Sequence, residues 1–120
     1  MAAATIQGAK PLSSDPDYAI VHWTLTTADP TGTPVPNYQD YADRTVQGFG
    51  TFGAATVELQ GSLDGGTTWV VLTDPQGNAL TKTAAFLEGV LEAVPLIRAV
   101  LTAVGAGATI EVYLFVRKAK

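Results

Sequence analysis

The chain has no cysteine and a single histidine, His22, and only 15% of its 120 residues are charged. Without cysteine a disulfide scaffold, a thiol nucleophile and a cysteine-ligated zinc site are excluded, and the redox compartment is unreadable. One imidazole leaves a serine-type relay only Ser13, Ser14 or Ser62 to draw on, and none of these lies in a nucleophile-elbow sequence. No apolar run approaches the roughly 20 residues of a membrane-spanning helix. The opening Met1-Ala-Ala-Ala-Thr-Ile-Gln-Gly-Ala-Lys10 lacks the apolar centre of a signal peptide, so the expectation is a product made without an export signal. Basic charge is scarce where nucleic acid would need it. Between Pro11 and Thr81 eight acids face Arg44 alone, and the one basic cluster is Arg117-Lys118-Ala119-Lys120. Neutralising phosphates requires a clustered basic face, so neither nucleic acid nor a membrane is expected as a partner.

What the chain does have is apolar material, 47% of its residues, together with 12 glycines and 7 prolines. A chain of this length buries roughly two-thirds of its unfolded surface, enough for one domain with a core. Residues 1–17 contain Pro11 and Pro16 and no sustained periodicity, and read as an extended arm. Tyr18 to Thr26 is β-branched and aromatic, a strand. Ala28 to Asp40 holds three prolines and a glycine and resists both helix and central strand.

Beyond it come short segments cut by glycine. Thr45–Phe49 reads as a weak strand and Ala55–Gln60 as an alternating one. Leu63-Asp-Gly-Gly-Thr67 is a tight turn whose glycines supply positive φ, and Thr68–Thr73 returns antiparallel. Asp74-Pro-Gln-Gly-Asn78 is a second turn. In Ala84–Val94, helical spacing of Phe86, Leu87, Val90, Leu91 and Val94 competes with the interruption at Gly89, so helix and irregular strand both stay open. Leu96–Thr102 and Thr109–Arg117 are strands. In the last, Ile110, Val112, Leu114 and Val116 line one face, while Tyr113 and Phe115 on the other imply that it too is covered, by another sheet or another subunit. Many short strands with turns about every ten residues indicate an all-β fold, a β-sandwich of jelly-roll type with at most one short helix, spanning residues 18–120 behind the arm.

Candidate chemistry is thin. Gly48-Phe-Gly-Thr-Phe-Gly53 has the form G-x-G-x-x-G, but a strand follows it where a dinucleotide site needs a helix, so the glycines are structural and Phe49 and Phe52 are expected to pack. Asp15, Asp17, Asp40, Asp43 and Asp64 have no EF-hand spacing, and capping a turn accounts for each. Glu88 and Glu92 would be neighbours on a helix, an exposed face rather than a hydrolytic pair. Trp23, Trp69, Tyr38 and Tyr41 could form a sugar-stacking platform. Tyr38 and Tyr41, in the proline-rich loop, fit partner contacts better. No catalytic residue, metal or cofactor is expected. The partner-contact candidates are Pro11, Leu12, Tyr38, Tyr41, Tyr113 and Phe115.

Two resemblances follow from these motifs. Ser62-Leu-Asp-Gly-Gly-Thr-Thr-Trp69, with Leu96-Ile-Arg98 later, is similar to the hairpin of discoidin-type and other galactose-binding-like jelly rolls, though Leu96 stands where an aromatic often precedes the arginine. The wider pattern, Gly48 to Gly53 leading into that hairpin and Asp74-Pro-Gln-Gly-Asn-Ala-Leu80, resembles small virion proteins of tailed bacteriophages, of the capsid decoration or cement type, over about Arg44 to Lys118. That resemblance implies a non-enzymatic homo-oligomer, a homotrimer, bound to the major capsid protein on the capsid exterior and made in the bacterial host cytoplasm. The first implies instead a carbohydrate-binding module.

Overall fold

The computed structural model describes residues 1–9, 18–36, 43–92, 94–103 and 106–117. Among these residues ten strands make up two antiparallel sheets: β1 (Ala4–Ala9), β2 (Tyr18–Thr26), β3 (Val35–Pro36), β4 (Asp43–Thr51), β5 (Thr56–Ser62), β6 (Val70–Val71), β7 (Thr81–Lys82), β8 (Phe86–Gly89), β9 (Leu96–Ala103) and β10 (Thr109–Arg117). The first sheet has the order β1-β2-β10-β4-β8, and the second β3-β9-β5-β6 with β7 also paired to β5. Apart from the β1–β2 hairpin and the run β5-β6-β7, which stays in the second sheet, the chain passes from one sheet to the other at each connection, which is the jelly-roll arrangement of a β-sandwich. Among the described residues there is no helix, hence none long and apolar enough to cross a membrane.

The alternation of side chains along each strand builds the core. Ile110, Val112, Leu114 and Val116 of β10 are fully buried, as are Val21, Trp23 and Leu25 of β2 and Val46 of β4. Facing them from the second sheet are Val57 and Leu59 of β5 and Ile97, Ala99 and Leu101 of β9. Trp23 is 0% exposed, and its indole N–H donates to the Thr33 carbonyl at 2.9 Å, the partner a buried indole needs. Gly32 makes room for that ring: a Cβ there would lie 2.7 Å from Trp23 Cδ1 and 2.6 Å from the Ala99 carbonyl oxygen.

Two expectations change, and one open alternative is resolved. Residues 4–9, expected in an arm, pair with β2 in continuous register from Ala4↔Trp23 to Ala9↔Tyr18. The chain before them is anchored as well, since Ala2 N–H donates to Thr31 O and Thr33 N–H to Ala2 O, both at 2.7 Å. The six-residue segment is too short for a periodicity visible in sequence, yet it completes a sheet. Residues 86–89 are a strand, because pairing with Thr45–Gly48 satisfies backbone groups that a helix interrupted by Gly89 would satisfy less well. The return after the Asp64 turn is regular only at Val70–Val71.

Candidate interaction surface

The outward side of the first sheet carries the side chains that alternate with the core. Strand register places Glu111 between Thr24 and Phe49, Tyr113 between His22 and Gln47, and Phe115 between Ile20 and Thr45. Gln47 in turn lies opposite Leu87. The central rings stack on one another. Tyr113 lies 4.2 Å from His22 with planes 3° apart and 5.9 Å from Phe49 with planes 7° apart, and Phe115 is 5.3 Å from Tyr18. Such cross-strand and diagonal pairs fix rings in place. Beside them Ile20, Thr45, Gln47, Leu87, Tyr113 and Phe115 line a shallow groove of about 190 Å³.

Polar groups close the two ends of this aromatic strip. At one end His22 Nε2 lies 2.6 Å from Glu111 Oε1, and Thr24 Oγ1 donates to the same oxygen at 2.8 Å. Burial pushes the Glu111 carboxyl up, but these bonds and the charge of His22 outweigh it and hold the group below the usual glutamate range. At the other end Arg117 Nη2 pairs with Asp43 Oδ2 at 2.6 Å. Phe49, level with Glu111, is 39% and Leu87 64% exposed, and among the described residues no layer of the chain covers this side.

The outward side of the second sheet is built differently. The Arg98 guanidinium lies 4.2 Å over the Trp69 ring and Arg98 Nε donates to Gln60 Oε1; Gln60 Nε2 donates to Glu58 Oε1, and Thr81 Oγ1 reaches Glu58 Oε2. Burial lowers the Arg98 pKa. The turn that delivers Trp69 is tied from within. Asp64 accepts from Ser62 Oγ and Thr68 N–H, both at 2.8 Å, Ser62 Oγ accepts from Gly66 N–H, and Trp69 Nε1 donates to Gly66 O. Gly65 and Gly66 take φ of 76° and 94°, which side chains rarely adopt. The Thr68 backbone bond, helped by Ser62, holds the Asp64 carboxyl at about 2. Beside the turn an apolar cleft of about 430 Å³ runs along Leu63, Val70, Leu72 and Val94. At its edge Glu92 accepts from the backbone and hydroxyl of Thr73.

The structure sorts the sequence candidates accordingly. Tyr113 and Phe115 lie together on the outward side of β10, whereas Pro11, Leu12, Tyr38 and Tyr41 lie outside the described residues. Trp23 belongs to the core and cannot stack on a sugar, and one face of Trp69 is occupied by Arg98. His22 projects from the first sheet while Ser62 is buried in the hairpin turn of the second, and Ser13 and Ser14 lie outside the described residues. Asp43 and Asp64 are engaged as above, Asp15, Asp17 and Asp40 lie outside the described residues, and no three potential metal ligands gather among those described. Glu88 pairs with Lys82 at 3.3 Å and Glu92 with Thr73, so the two glutamates serve different contacts. Gly48 to Gly53 ends β4 and turns toward β5. Phe52 is buried there, but Phe49, expected to pack inside, alternates onto the outward side. Tyr18, Ile20, Phe49 and Leu87, which the sequence did not single out as contact residues, join His22, Tyr113 and Phe115 on this one surface. For β2 the signal was present, because Tyr18, Ile20 and His22 alternate with the buried Ala19, Val21 and Trp23.

No protein-family model, curated protein or solved structure matches the chain.

Proposed function

We propose that this chain is a structural virion protein, a homo-oligomeric capsid decoration protein that acts without catalysis by covering the outer capsid surface and bracing it. One observation carries the reading: the aromatic strip centred on the half-buried Tyr113 and Phe115, prearranged by stacking and flanked by the exposed Tyr18, Phe49 and Leu87. Aromatic residues concentrated at the centre of a surface with polar groups at its rim are the composition of a protein interface, and rigid rings lose little entropy on docking. The resemblance of Gly48 to Leu80 to phage head proteins supplies the partner, the major capsid protein. A homotrimer suits this role, since linked copies convert several weak contacts into a durable one. The test is co-sedimentation of the purified protein with phage capsids lacking decoration. Wild type is expected to bind and Tyr113→Lys with Phe115→Lys to be lost. A well-folded protein that binds no capsid overturns the proposal, and glycan-array binding abolished by Trp69→Ala would replace it with carbohydrate recognition.

A further inference from the structure

A β-sandwich has open sheet edges, and unpaired N–H and C=O groups along an edge are a template for another strand unless the protein blunts them. Three of the edges here are blunted. β3 is two residues long and ends in Pro36; β6 and β7 are two residues each. β8 is four residues, with Glu88 bound to Lys82 and Pro75 packed against Gly89. The fourth edge, β1, has none of these devices. It is six residues long, Ala-Thr-Ile-Gln-Gly-Ala, with neither proline nor charge, and among the described residues it pairs only with β2.

We infer that β1 is a self-association edge, and that its occupant is β1 of a second copy of this chain, paired antiparallel across a two-fold axis. Three observations favour this occupant. In an antiparallel two-fold pair every residue i that meets j is matched by j meeting i, so one strand supplies both halves of the contact. A charged strand paired with itself would bring like charges together across the seam, and this strand carries none. The backbone of the template is also already held in place. The Met1 amino group pairs with Asp29 at 2.7 Å, Ala2 is bonded to Thr31 and Thr33, and all six residues of β1 are in register with β2, so little ordering remains to be done on docking. Pairing would join two five-stranded sheets into one. Thr5 is exposed opposite His22, so the joined sheet would carry the two aromatic strips side by side across the seam.

The inference concerns the edge, and does not depend on the capsid reading. Light scattering over a concentration series is expected to give wild type twice the mass of Thr5→Lys with Gln7→Lys, which sets like charges across the seam in any antiparallel register. The dissociation constant should rise at least tenfold. Thermal melting checks that the variant stays folded. Because the chain has no cysteine, Thr5→Cys carries one spin label per copy, and the label separation within the assembly should fall below about 20 Å, the reach of a few residues along paired strands. Equal masses for wild type and the lysine variant, or a longer separation, overturn the inference. The two proposals fail separately: Tyr113→Lys should keep the doubled mass while losing capsids, and the β1 lysine variant should still bind capsids through its aromatic strip.

Discussion

The two outward sides of the sandwich solve the same problem in opposite ways. On the second sheet the exposed groups are linked to one another, Trp69 beneath Arg98, Arg98 to Gln60, Gln60 to Glu58 and Glu58 to Thr81. That side pairs its own polar groups, and its exposed apolar residues, Leu63 and Val70, stand beside the Asp64 turn rather than within the paired strip. On the first sheet the polar pairs are His22 with Glu111 and Arg117 with Asp43, and among them lie Tyr18, Ile20, Phe49, Tyr113, Phe115 and Leu87, with Thr45 and Gln47 beside the groove. Both are outward sides of sheets with comparably buried interiors, so folding does not require the difference. An aromatic strip in water is a cost that a partner can remove.

The largest expected effect separates the two sides directly. Replacing Tyr113 and Phe115 with lysine should weaken association by about 30-fold or more, as loss of aromatic anchors at an interface centre does. Arg98→Ala on the opposite side should leave association unchanged. Capsid co-sedimentation over a concentration series measures both. Equal losses from the two variants would show that the contrast between the sides has no part in binding.

The converse experiment comes next. Arg98→Ala removes the guanidinium over Trp69 and its bond to Gln60, and should cost about 1–2 kcal/mol of stability, a few degrees in Tm. Tyr113→Phe should shift Tm by less than that, because the stacked ring remains. A larger shift for Tyr113→Phe than for Arg98→Ala would reverse the assignment of one side to self-pairing and the other to partners.

How far the sequence led also differs between the two sides. The Asp64 turn was legible because Asp-Gly-Gly demands positive φ locally, and the inward side of β10 because Ile110, Val112, Leu114 and Val116 repeat at period two. The jelly-roll class followed from the number of short strands and turns. The aromatic strip was only half legible. Tyr113 and Phe115 stood out within one strand, but joining them to His22 and Phe49 needs the register of β10 against β2 and β4, contacts between residues 91 and 64 positions apart in the chain. β1 was illegible for a simpler reason: six small and polar residues show no periodicity until β2 is beside them. Trp23 and Trp69 looked equivalent in sequence, yet one fills the core and the other lies under an arginine.

Acid should act on the polar side through its turn. The Asp64 carboxyl lies at about 2 in the folded chain, below its ordinary 3.8, so the stability it contributes is complete above about pH 4 and is lost as pH falls through about 2. Glu92, which burial raises but the bonds from Thr73 lower further, and Glu111 change stability in the same direction. Tm should therefore decline on acidification in wild type and decline less in Asp64→Asn, whose amide cannot titrate. Identical pH profiles would mean that the turn does not depend on the ionised carboxylate.

The smallest effect is expected at the rim of the aromatic strip. Arg117 donates from Nε at 3.2 Å and from Nη2 at 2.6 Å to the single oxygen Asp43 Oδ2, but both side chains are more than half exposed. Exposed ion pairs contribute about 0–1 kcal/mol, since solvent and salt screen them and ordering two side chains offsets the attraction. Asp43→Ala should thus change Tm by no more than a degree or two. Its effect on association defines where the binding surface stops. An unchanged affinity puts the boundary between Phe115 and Arg117. A loss comparable to that of Phe115→Lys would instead extend the interface along β10 to its charged end, which would make the pair part of the contact rather than its edge.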